Sequence, residues 1–249
     1  MRRCQFLVVN AALVFATSMP LVAQDKTFEE TVGLDPGGTL ALEADRGSAR
    51  LTSWDEPQVE IHARIEPPSG VDDDYARRAV EGTTIEVTTS NTSVRVRADY
   101  SGVPRRGWGR RLPRVHYEVR APGDLNLDVQ IDRSDATLEG FAGRMILKLD
   151  RSDLRASDLT GEITIDLDRS GLDVHDLAGQ VTLRLDRGRS VALDGVRASL
   201  DLDVDRTNVT MHDVWIDDDS RVEIDRGGSD RGVGRDPDAD RRSEYVAPR

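Results

Sequence analysis

The sequence predicts an all-β protein, a single-stranded parallel β-helix or solenoid of two-strand coils about 18 residues long, preceded by an N-terminal β segment that contains one short helix. Aromatic residues make up only 4% of the chain, so stacked aliphatic side chains must supply most of the core. A fixed period of this length is typical of repeat architectures. The dipeptide Asp-Arg marks it, at residues 132, 150, 168, 186, 205 and 225, with spacings of 18, 18, 18, 19 and 20 residues.

Apolar residues alternate with polar ones on both sides of each Asp-Arg pair. Alternation with a period of two indicates strands with one buried face. A small residue follows each pair, which predicts a bend between two strands. One such coil cannot bury its apolar face alone, but stacked coils can. In the coil around Asp168 the alternating apolar residues are Ile163, Ile165, Leu167, Leu172, Val174 and Leu177.

Residues 1–23 have the pattern of a secretory signal peptide. Arg2 and Arg3 precede an apolar run over Phe6–Phe15, and small and apolar residues lead to Ala23. An uncleaved membrane anchor is the alternative, but the run is shorter than the ~20 residues that cross a bilayer. We therefore expect cleavage near Ala23 and an exported product that is periplasmic, at the cell surface or secreted.

Residues 25–124 are expected to form an N-terminal β region. Its first rung covers 40–54, where the residues around an Asp-Arg pair at position 45 repeat the pattern of the coils. A helix is predicted over 72–81, with acidic residues in its first turn, and a hairpin over 84–97. The solenoid repeats follow over residues 125–226.

Residues 227–249 contain mostly Gly, Asp, Arg and Pro, and this composition predicts a disordered tail. The chain carries a net charge of −12, and residues 125–226 hold 23 acidic against 13 basic residues. Such an acidic chain is a poor match for nucleic-acid phosphates, so no nucleic-acid partner is expected. No later apolar stretch approaches the length of a bilayer span, so the protein is not predicted to be an integral membrane protein.

A cluster of arginines stands out against this acidic background. Arginine beside an exposed aromatic ring can bind an anionic glycan, a lipid headgroup or an acidic protein. The alternative is a solvated loop that balances local charge. A variant of the binding hypothesis has this loop docking on the acidic solenoid of another copy, as a weak self-association. The candidate residues are Arg105, Arg106, Trp108, Arg110, Arg111 and Arg114.

The Asp-Arg pairs should form a column along one edge of the solenoid. Carboxylates about 4.8 Å apart repel one another, and either interleaved arginines or bound Ca²⁺ would offset that repulsion. We favour a salt-bridge ladder over calcium, since an arginine accompanies every aspartate and the glycine-rich nonapeptide of calcium-bound β-rolls is absent from the sequence.

No catalytic, cofactor-binding or metal-binding residue is predicted. The single cysteine, Cys4, lies in the signal segment, so the mature chain is expected to have no thiol. His175 and His212 fall in one register with Asp194 between them, and the histidines are too far apart for one metal ion. No nucleophile or ligand pattern is recognised around His62 or His116.

These parts, in this order, resemble the bacterial putative-adhesin family, a domain family of unknown function with an expected β-solenoid fold. The resemblance covers most of the mature chain. It rests on the early unit LALEADRGSARLTSW, the strand VHYEVRAPGDLNLDV and glycine-punctuated rungs such as GEITIDLDRSGLDVHDLAGQ. It implies an envelope-associated or secreted protein with no assigned active site.

Two functions remain open at the level of sequence. One is a non-catalytic, adhesin-like interaction or structural module with an envelope or extracellular partner, either a protein or an anionic glycan. The other is a polysaccharide-active β-helix enzyme, a lyase or glycosidase. We favour the non-catalytic function because the coils are short and nearly free of the long loops that form a cleft in those enzymes.

Overall fold

The computed structural model describes residues 24–105 and 109–225, together with the backbone of 229–234 and 244–245. Residues 1–23, the predicted signal segment, lie outside the described part of the chain. The elements in chain order are β1 Lys26–Gly33, β2 Thr39–Ala44, β3 Gly47–Trp54, β4 Gln58–Glu66, α1 Asp73–Glu81, β5 Thr84–Ser90, β6 Ser93–Asp99, β7 Arg114–Pro122, β8 Asn126–Asp132, β9 Ser134–Glu139, β10 Ala142–Asp150, β11 Asp153–Asp168, β12 Gly171–Asp186, β13 Val191–Asp205, β14 Val209–Ile216, β15 Arg221–Asp225, β16 Ser229–Gly234 and β17 Glu244–Tyr245.

The strands stack in parallel into two faces, which we call sheet A and sheet B. Sheet A contains β6, β2, β8, β10, the second halves of β11, β12 and β13, and then β15. Sheet B contains β7, β3, β9, the first halves of β11, β12 and β13, and then β14. The chain crosses from sheet A to sheet B at each Asp-Arg pair. The predicted β-solenoid is therefore confirmed.

The repeat positions stack in register, as the alternating pattern requires. Ile163 pairs with Met145 on one side and Val181 on the other, and all three are at most 2% exposed. Inward residues of both sheets join one continuous, largely aliphatic core. Because each coil repeats the same apolar positions, the protein builds this core with few aromatic rings.

The bends have a backbone conformation that the sequence did not reveal. At the Asp-Arg pair the arginine itself is left-handed, as with Arg169 at φ 52°, while the following Ser170 is fully buried. The sequence had assigned the bend to that small residue. A left-handed conformation costs a non-glycine residue roughly 1–2 kcal/mol, so contacts made by the arginine and serine have to offset it.

The first rung, β2 and β3, stacks directly on the coil of β8 and β9. Thr39 pairs with Asn126, and Gly47 pairs with Ser134. Beyond the first rung, β6 and β7 add one more parallel coil in the same two sheets, which the sequence had not indicated. Antiparallel strands close this end of the stack: β5 pairs with β6, and β4 lies between β7 and β1.

The predicted short helix is present as α1. Its N-cap is Asp72, whose carboxylate accepts the backbone N–H of Tyr75 at 2.8 Å. Acidic Asp73 and Asp74 occupy the first turn, where they complement the helix dipole.

At the other end, the structure differs from the predicted disorder of residues 227–249. Ser229–Gly234 continues sheet B next to β14, and Glu244–Tyr245 continues sheet A next to β15. The repeat thus extends beyond the last Asp-Arg pair, because a sheet edge offers unpaired backbone groups to a following segment of suitable register. The rest of the predicted tail lies outside the described residues.

Candidate functional site

The basic segment lies where the chain passes from β6 to β7. In the neighbouring rung only Asp45 and Arg46 connect the two strands. Here the connecting segment is residues 100–113, which we call the basic loop. The register explains its place: Thr39 pairs with Ser93 on sheet A, and Gly47 pairs with Val115 on sheet B. The basic loop therefore stands at the first position of the Asp-Arg edge.

Helix α1 holds the basic loop in place. The hydroxyl of Tyr75 donates to the carbonyl of Pro104 at 2.8 Å and accepts the backbone N–H of Arg111 at 2.9 Å. Its ring is 4% exposed and packs with Val103 and Leu112 in a small apolar cluster. One side chain thus fixes two points of the loop, one before and one after residues 106–108, which lie outside the described part.

Five arginines from three parts of the chain line one cavity of about 270 Å³, which we call the arginine cleft. Two of them come from the Asp-Arg edge and three from the end of the basic loop and the start of β7. Ser69 and Leu112 also line it. The five are Arg46, Arg110, Arg111, Arg114 and Arg133.

Two of these arginines contact a carboxylate. Arg114 lies 3.6 Å from Glu66, and Arg133 contacts Asp132. Arg110 donates to the carbonyl of Ser101 at 3.3 Å. The guanidinium groups of Arg46 and Arg111 have no hydrogen bond or ion pair with any residue that the structure describes. The cleft therefore holds more positive charge than its carboxylate contacts balance.

Along the rest of the edge the arginines form the predicted salt-bridge ladder. Each of four arginines bridges two aspartates, the one beside it and the one in the preceding coil. For Arg169 both distances, to Asp150 and Asp168, are 2.9 Å. The same bridging by the other three, at 2.7–3.2 Å, involves Arg151, Arg187 and Arg206.

An acidic groove of about 610 Å³ runs beside this ladder over the outer face of sheet A. Its walls combine the ladder aspartates with a second outward column, which includes Asp166 and Asp203. Lys148 and Arg184 are the basic residues among its described lining. Asp45 and Asp132 line this groove, whereas Arg46 and Arg133 line the arginine cleft, so the acidic and basic residues of these two Asp-Arg pairs face different surfaces.

The structure brings together half of the predicted loop residues. Arg110, Arg111 and Arg114 line the cleft, whereas Arg105 is exposed and does not line it. The predicted candidates Arg106 and Trp108 lie outside the described residues.

Sequence reasoning missed Arg46 and Arg133 as members of the site, since both match the repeated Asp-Arg pattern. Finding them requires the stacking order, which puts the basic loop next to the first rung and that rung next to the coil of β8 and β9.

The histidine register is as predicted, with Asp194 between the two imidazoles. His175 pairs with Asp194, and Asp194 pairs with His212. His212 Nδ1 lies 2.9 Å from the Asp194 carboxylate, and His175 Nδ1 lies 3.6 Å from it. The hydrogen bond to Asp194, together with the charge of that carboxylate, raises the pKa of His212. The same hydrogen bond lowers the pKa of Asp194.

A second histidine site was not anticipated. On the outer face of sheet B, Ser48 Oγ lies 2.9 Å from His116 Nδ1, and His116 Nε2 lies 2.9 Å from Glu66. The three residues come from β3, β7 and β4, which are adjacent strands. No local motif could reveal this trio, because 68 residues separate the serine from the histidine.

Two further observations bear on chemistry and location. Within the described ranges, no group of three or more His, Cys, Asp or Glu side chains is placed to hold a metal ion. No helix among the described residues is long and apolar enough to cross a membrane.

No family model matches the chain, and no curated protein matches its sequence. Solved structures of similar shape include the following three proteins. A "putative cell adhesion protein" from Clostridium sporogenes overlaps 76% of this chain and 73% of its own, with a TM-score of 0.33 and 8% identity. A "putative lipid binding protein" from Parabacteroides distasonis overlaps 85% of this chain and 92% of its own, with a TM-score of 0.37 and 8% identity.

The third, a "putative adhesin" from Parabacteroides merdae, overlaps 85% of this chain and 92% of its own, with a TM-score of 0.25 and 10% identity. Two of the three descriptions agree with the adhesin resemblance predicted from the sequence. TM-scores this low reflect a partial likeness of shape, and no function is carried over from these proteins.

Proposed function

We propose that this protein is an exported, non-catalytic interaction module that holds an anionic partner at the basic end of its solenoid. The partner presents its negative charge on a glycan, a lipid headgroup or an acidic protein segment, in the envelope or outside the cell. Export rests on the sequence of residues 1–23. Mass spectrometry of the exported protein is expected to find a mature N-terminus near Gln24, and a retained N-terminal segment would contradict export with cleavage.

The arginine cleft is the observation that carries this proposal. Elsewhere along the edge each ladder arginine forms ion pairs with two aspartates, as Arg169 does with Asp150 and Asp168. At the cleft, the side chains of Arg46 and Arg111 form no ion pair with any described residue. An excess of positive charge on an otherwise acidic rod gives a partner of opposite charge one favoured place to bind, and it raises the rate of encounter there.

Dextran beads that differ only in their substituent test the proposal. The mature protein is expected to be retained on carboxymethyl, sulfated or phosphorylated dextran and to pass unmodified dextran, with retention falling as salt rises. An Arg110→Ala/Arg111→Ala variant should lose most of the retention.

The matched control is Arg144→Ala/Arg184→Ala, which removes the same charge from exposed solenoid arginines whose nearest carboxylates lie at 3.8 and 3.6 Å. Equal losses in the two variants, or passage of the parent protein through every charged bead, would contradict the proposal.

Self-association is the competing use of the same loop, with the acidic groove of a second copy as the partner. Sedimentation velocity at low and high salt separates the two uses. An external partner leaves the purified protein monomeric at low salt. A salt-sensitive dimer that Arg110→Ala/Arg111→Ala abolishes would instead show that the loop mediates self-association.

An enzyme acting on a polysaccharide is the second candidate function, and the trio of Ser48, His116 and Glu66 favours it. A hydroxyl, an imidazole and a carboxylate in series can activate a nucleophile for acyl transfer. However, Ser48 lies inside β3 with parallel partners on both sides, so its backbone N–H belongs to the sheet rather than to an oxyanion hole.

Glu66 is also shared with Arg114 at 3.6 Å and Arg64 at 3.8 Å. We interpret the trio as a set of cross-strand polar contacts. Turnover of an acetylated acidic polysaccharide that Ser48→Ala abolishes would replace the proposed function with an enzymatic one.

A further inference from the structure

We propose that the arginine cleft is a binding site for a phosphate monoester, with Arg46 and Arg133 as its principal ligands. The inference rests on the proposed function, because it names the chemical group that the basic end of the solenoid recognises. A phosphorylated glycan and a lipid with a phosphate monoester headgroup both present this group, and the experiment below separates them.

The first argument is that the Asp-Arg arginines at the cleft, Arg46 and Arg133, do not each contact two aspartates as the ladder arginines do. Arg151 bridges Asp132 and Asp150, at 3.1 and 2.7 Å, and the later ladder arginines repeat this geometry. If Arg133 followed the same geometry, it would contact both Asp132 and Asp45, the aspartate of the preceding rung. Among the described residues Arg133 contacts Asp132 alone, so some of its guanidinium N–H donors remain available to a ligand.

The backbone explains why Arg46 leaves the ladder. In the later coils the arginine is the left-handed residue, for example Arg133 at φ 53°. In the first rung the positive φ belongs to Gly47, at 119°, so the chain leaves Arg46 in a different direction. Only glycine fits there, since a Cβ atom at Gly47 would lie 2.1 Å from the carbonyl oxygen of Val115. The same close approach brings β7, and with it Arg114, next to the rung.

The second argument is the balance of charge. Of the five arginines in the cleft, Arg114 and Arg133 each contact one carboxylate, which leaves three charges without a carboxylate contact among the described residues. Asp45, the neighbour of Arg46 in sequence, lines the acidic groove instead. A dianion balances more of this excess than a single carboxylate does, and guanidinium forks match the oxygens of a phosphate.

The third argument is size and shape. The cleft measures about 270 Å³, just below the range of ~300–1,000 Å³ that is usual for sites enclosing a whole small ligand. It therefore suits one terminal group on a larger molecule. Two of its arginines belong to bends of the solenoid, and Tyr75 fixes the backbone of Arg111, so the backbone that carries these donors is held in place before the ligand arrives.

The experiment compares the mature protein on phosphorylated, sulfated and carboxymethyl dextran of equal charge density. It adds vesicles of phosphatidylcholine doped with phosphatidic acid, a monoester, or with phosphatidylglycerol, a diester. We expect tighter binding to a monoester than to the matched sulfate, carboxylate or diester. Arg46→Gln/Arg133→Gln should weaken the monoester binding about tenfold or more.

The control Arg151→Gln/Arg169→Gln removes the same charges from ladder arginines that each bridge two aspartates, and it should change binding by no more than about twofold. A melting curve for each variant checks that the fold is retained. Preference for phosphorylated dextran assigns the site to a glycan, and preference for phosphatidic acid vesicles assigns it to a lipid.

Equal binding of the parent protein to all charged dextrans would overturn this inference and leave the proposed function standing. An equal loss in the ladder control would also overturn it. Failure of the parent to bind any charged dextran or vesicle would remove both the inference and the proposed function.

Discussion

The hydroxyl groups that follow the Asp-Arg pairs form a hydrogen-bonded column inside the bends. Ser152 Oγ accepts the backbone N–H of Ser134 at 3.1 Å and donates to the carbonyl of Asp150 at 2.9 Å, while Ser170 Oγ accepts the N–H of Ser152 at 3.1 Å. These serines are at most 3% exposed, and a buried donor without a partner costs about 1–3 kcal/mol. The small residue of the repeat therefore links neighbouring coils.

Gly161 tests the close stacking of the coils at the opposite bend. It has a φ of 132°, and a Cβ atom there would lie 2.1 Å from the carbonyl oxygen of Gly143. Gly161→Ala is expected to lower the free energy of unfolding by about 2–4 kcal/mol, as measured by urea denaturation. Gly33→Ala is the matched control, because a Cβ atom at Gly33 meets nothing within 4 Å. Similar effects of the two substitutions would contradict the stacking described here.

His212 provides a test by pH. Its pKa is raised by the hydrogen bond to Asp194, so the pair stabilises the fold below the unfolded value of about 6.5 and loses that contribution as pH rises through the folded pKa. An NMR titration is expected to find the pKa of His212 above 6.5 and to find it lowered by Asp194→Asn. Asp201→Asn, on the other sheet of the same strand, should leave it unchanged. A pKa that does not respond to Asp194→Asn would show that the pair is absent in solution.

At the scale of elements, α1 and the basic loop act as one unit. The C-terminal end of the helix packs directly on the loop, since a Cβ atom at Gly82 would lie 2.3 Å from the carbonyl oxygen of Gly102. Tyr75 then holds the loop on both sides of residues 106–108. The helix is thus the support of the candidate site, although it contributes no charge to the cleft lining.

Tyr75→Phe tests whether helix α1 positions the basic loop. The substitution removes the hydroxyl that contacts Pro104 and Arg111 but changes no charge. We expect a loss of about 1 kcal/mol in stability and weaker retention on anionic dextran, because the loop arginines are less well positioned. Tyr245→Phe is the control, since Tyr245 belongs to β17 at the opposite end of the stack. Unchanged retention after Tyr75→Phe would show that the helix does not position the loop.

The Asp-Arg ladder is an element in its own right, and its arginines take the place that calcium would fill. Asp150 and Asp168 both contact Arg169 at 2.9 Å, so their repulsion is offset within the protein. Millimolar Ca²⁺ is expected to leave the melting temperature of the mature protein nearly unchanged. An increase of many degrees would mean that the carboxylates bind the ion in preference to arginine.

At the scale of the molecule, the sequence revealed whatever depends on local pattern. The alternation before Asp168 predicted strands, and the acids after Asp72 predicted the start of a helix. The stacking order could not be predicted from local pattern. Thr39 pairs with Asn126, 87 residues away, and tertiary packing determines which of the similar strands become neighbours. The arginine cleft depends on that order, so three of its five arginines were predicted as part of the basic loop and the other two only as members of the repeated Asp-Arg pattern.

The stacking order also separates the charges of the molecule. The acidic groove follows sheet A from Asp45 to Asp205, whereas the arginine cleft lies at the bends of the first rung and of the coil of β8 and β9, beside the start of β7. A partner of negative charge would be repelled along most of the rod and attracted at one end. The function proposed here follows from this arrangement rather than from any single motif.

The most direct test is a disulfide between β2 and β8, the strands whose pairing brings the first rung next to the following coil. Glu43 pairs with Gln130, and both lie on the outer side of sheet A. Their Cα atoms should therefore lie within the ~4.4–6.8 Å that a disulfide spans, so Glu43→Cys/Gln130→Cys in the mature chain should form one. Lys148 lies one coil further along, about 9.6 Å from position 43, and is the control partner.

We expect peptide mass spectrometry of the oxidised, folded protein to find a disulfide between positions 43 and 130 and none in Glu43→Cys/Lys148→Cys. No disulfide in the first variant, or equal formation in both, would contradict the stacking order and with it the arginine cleft.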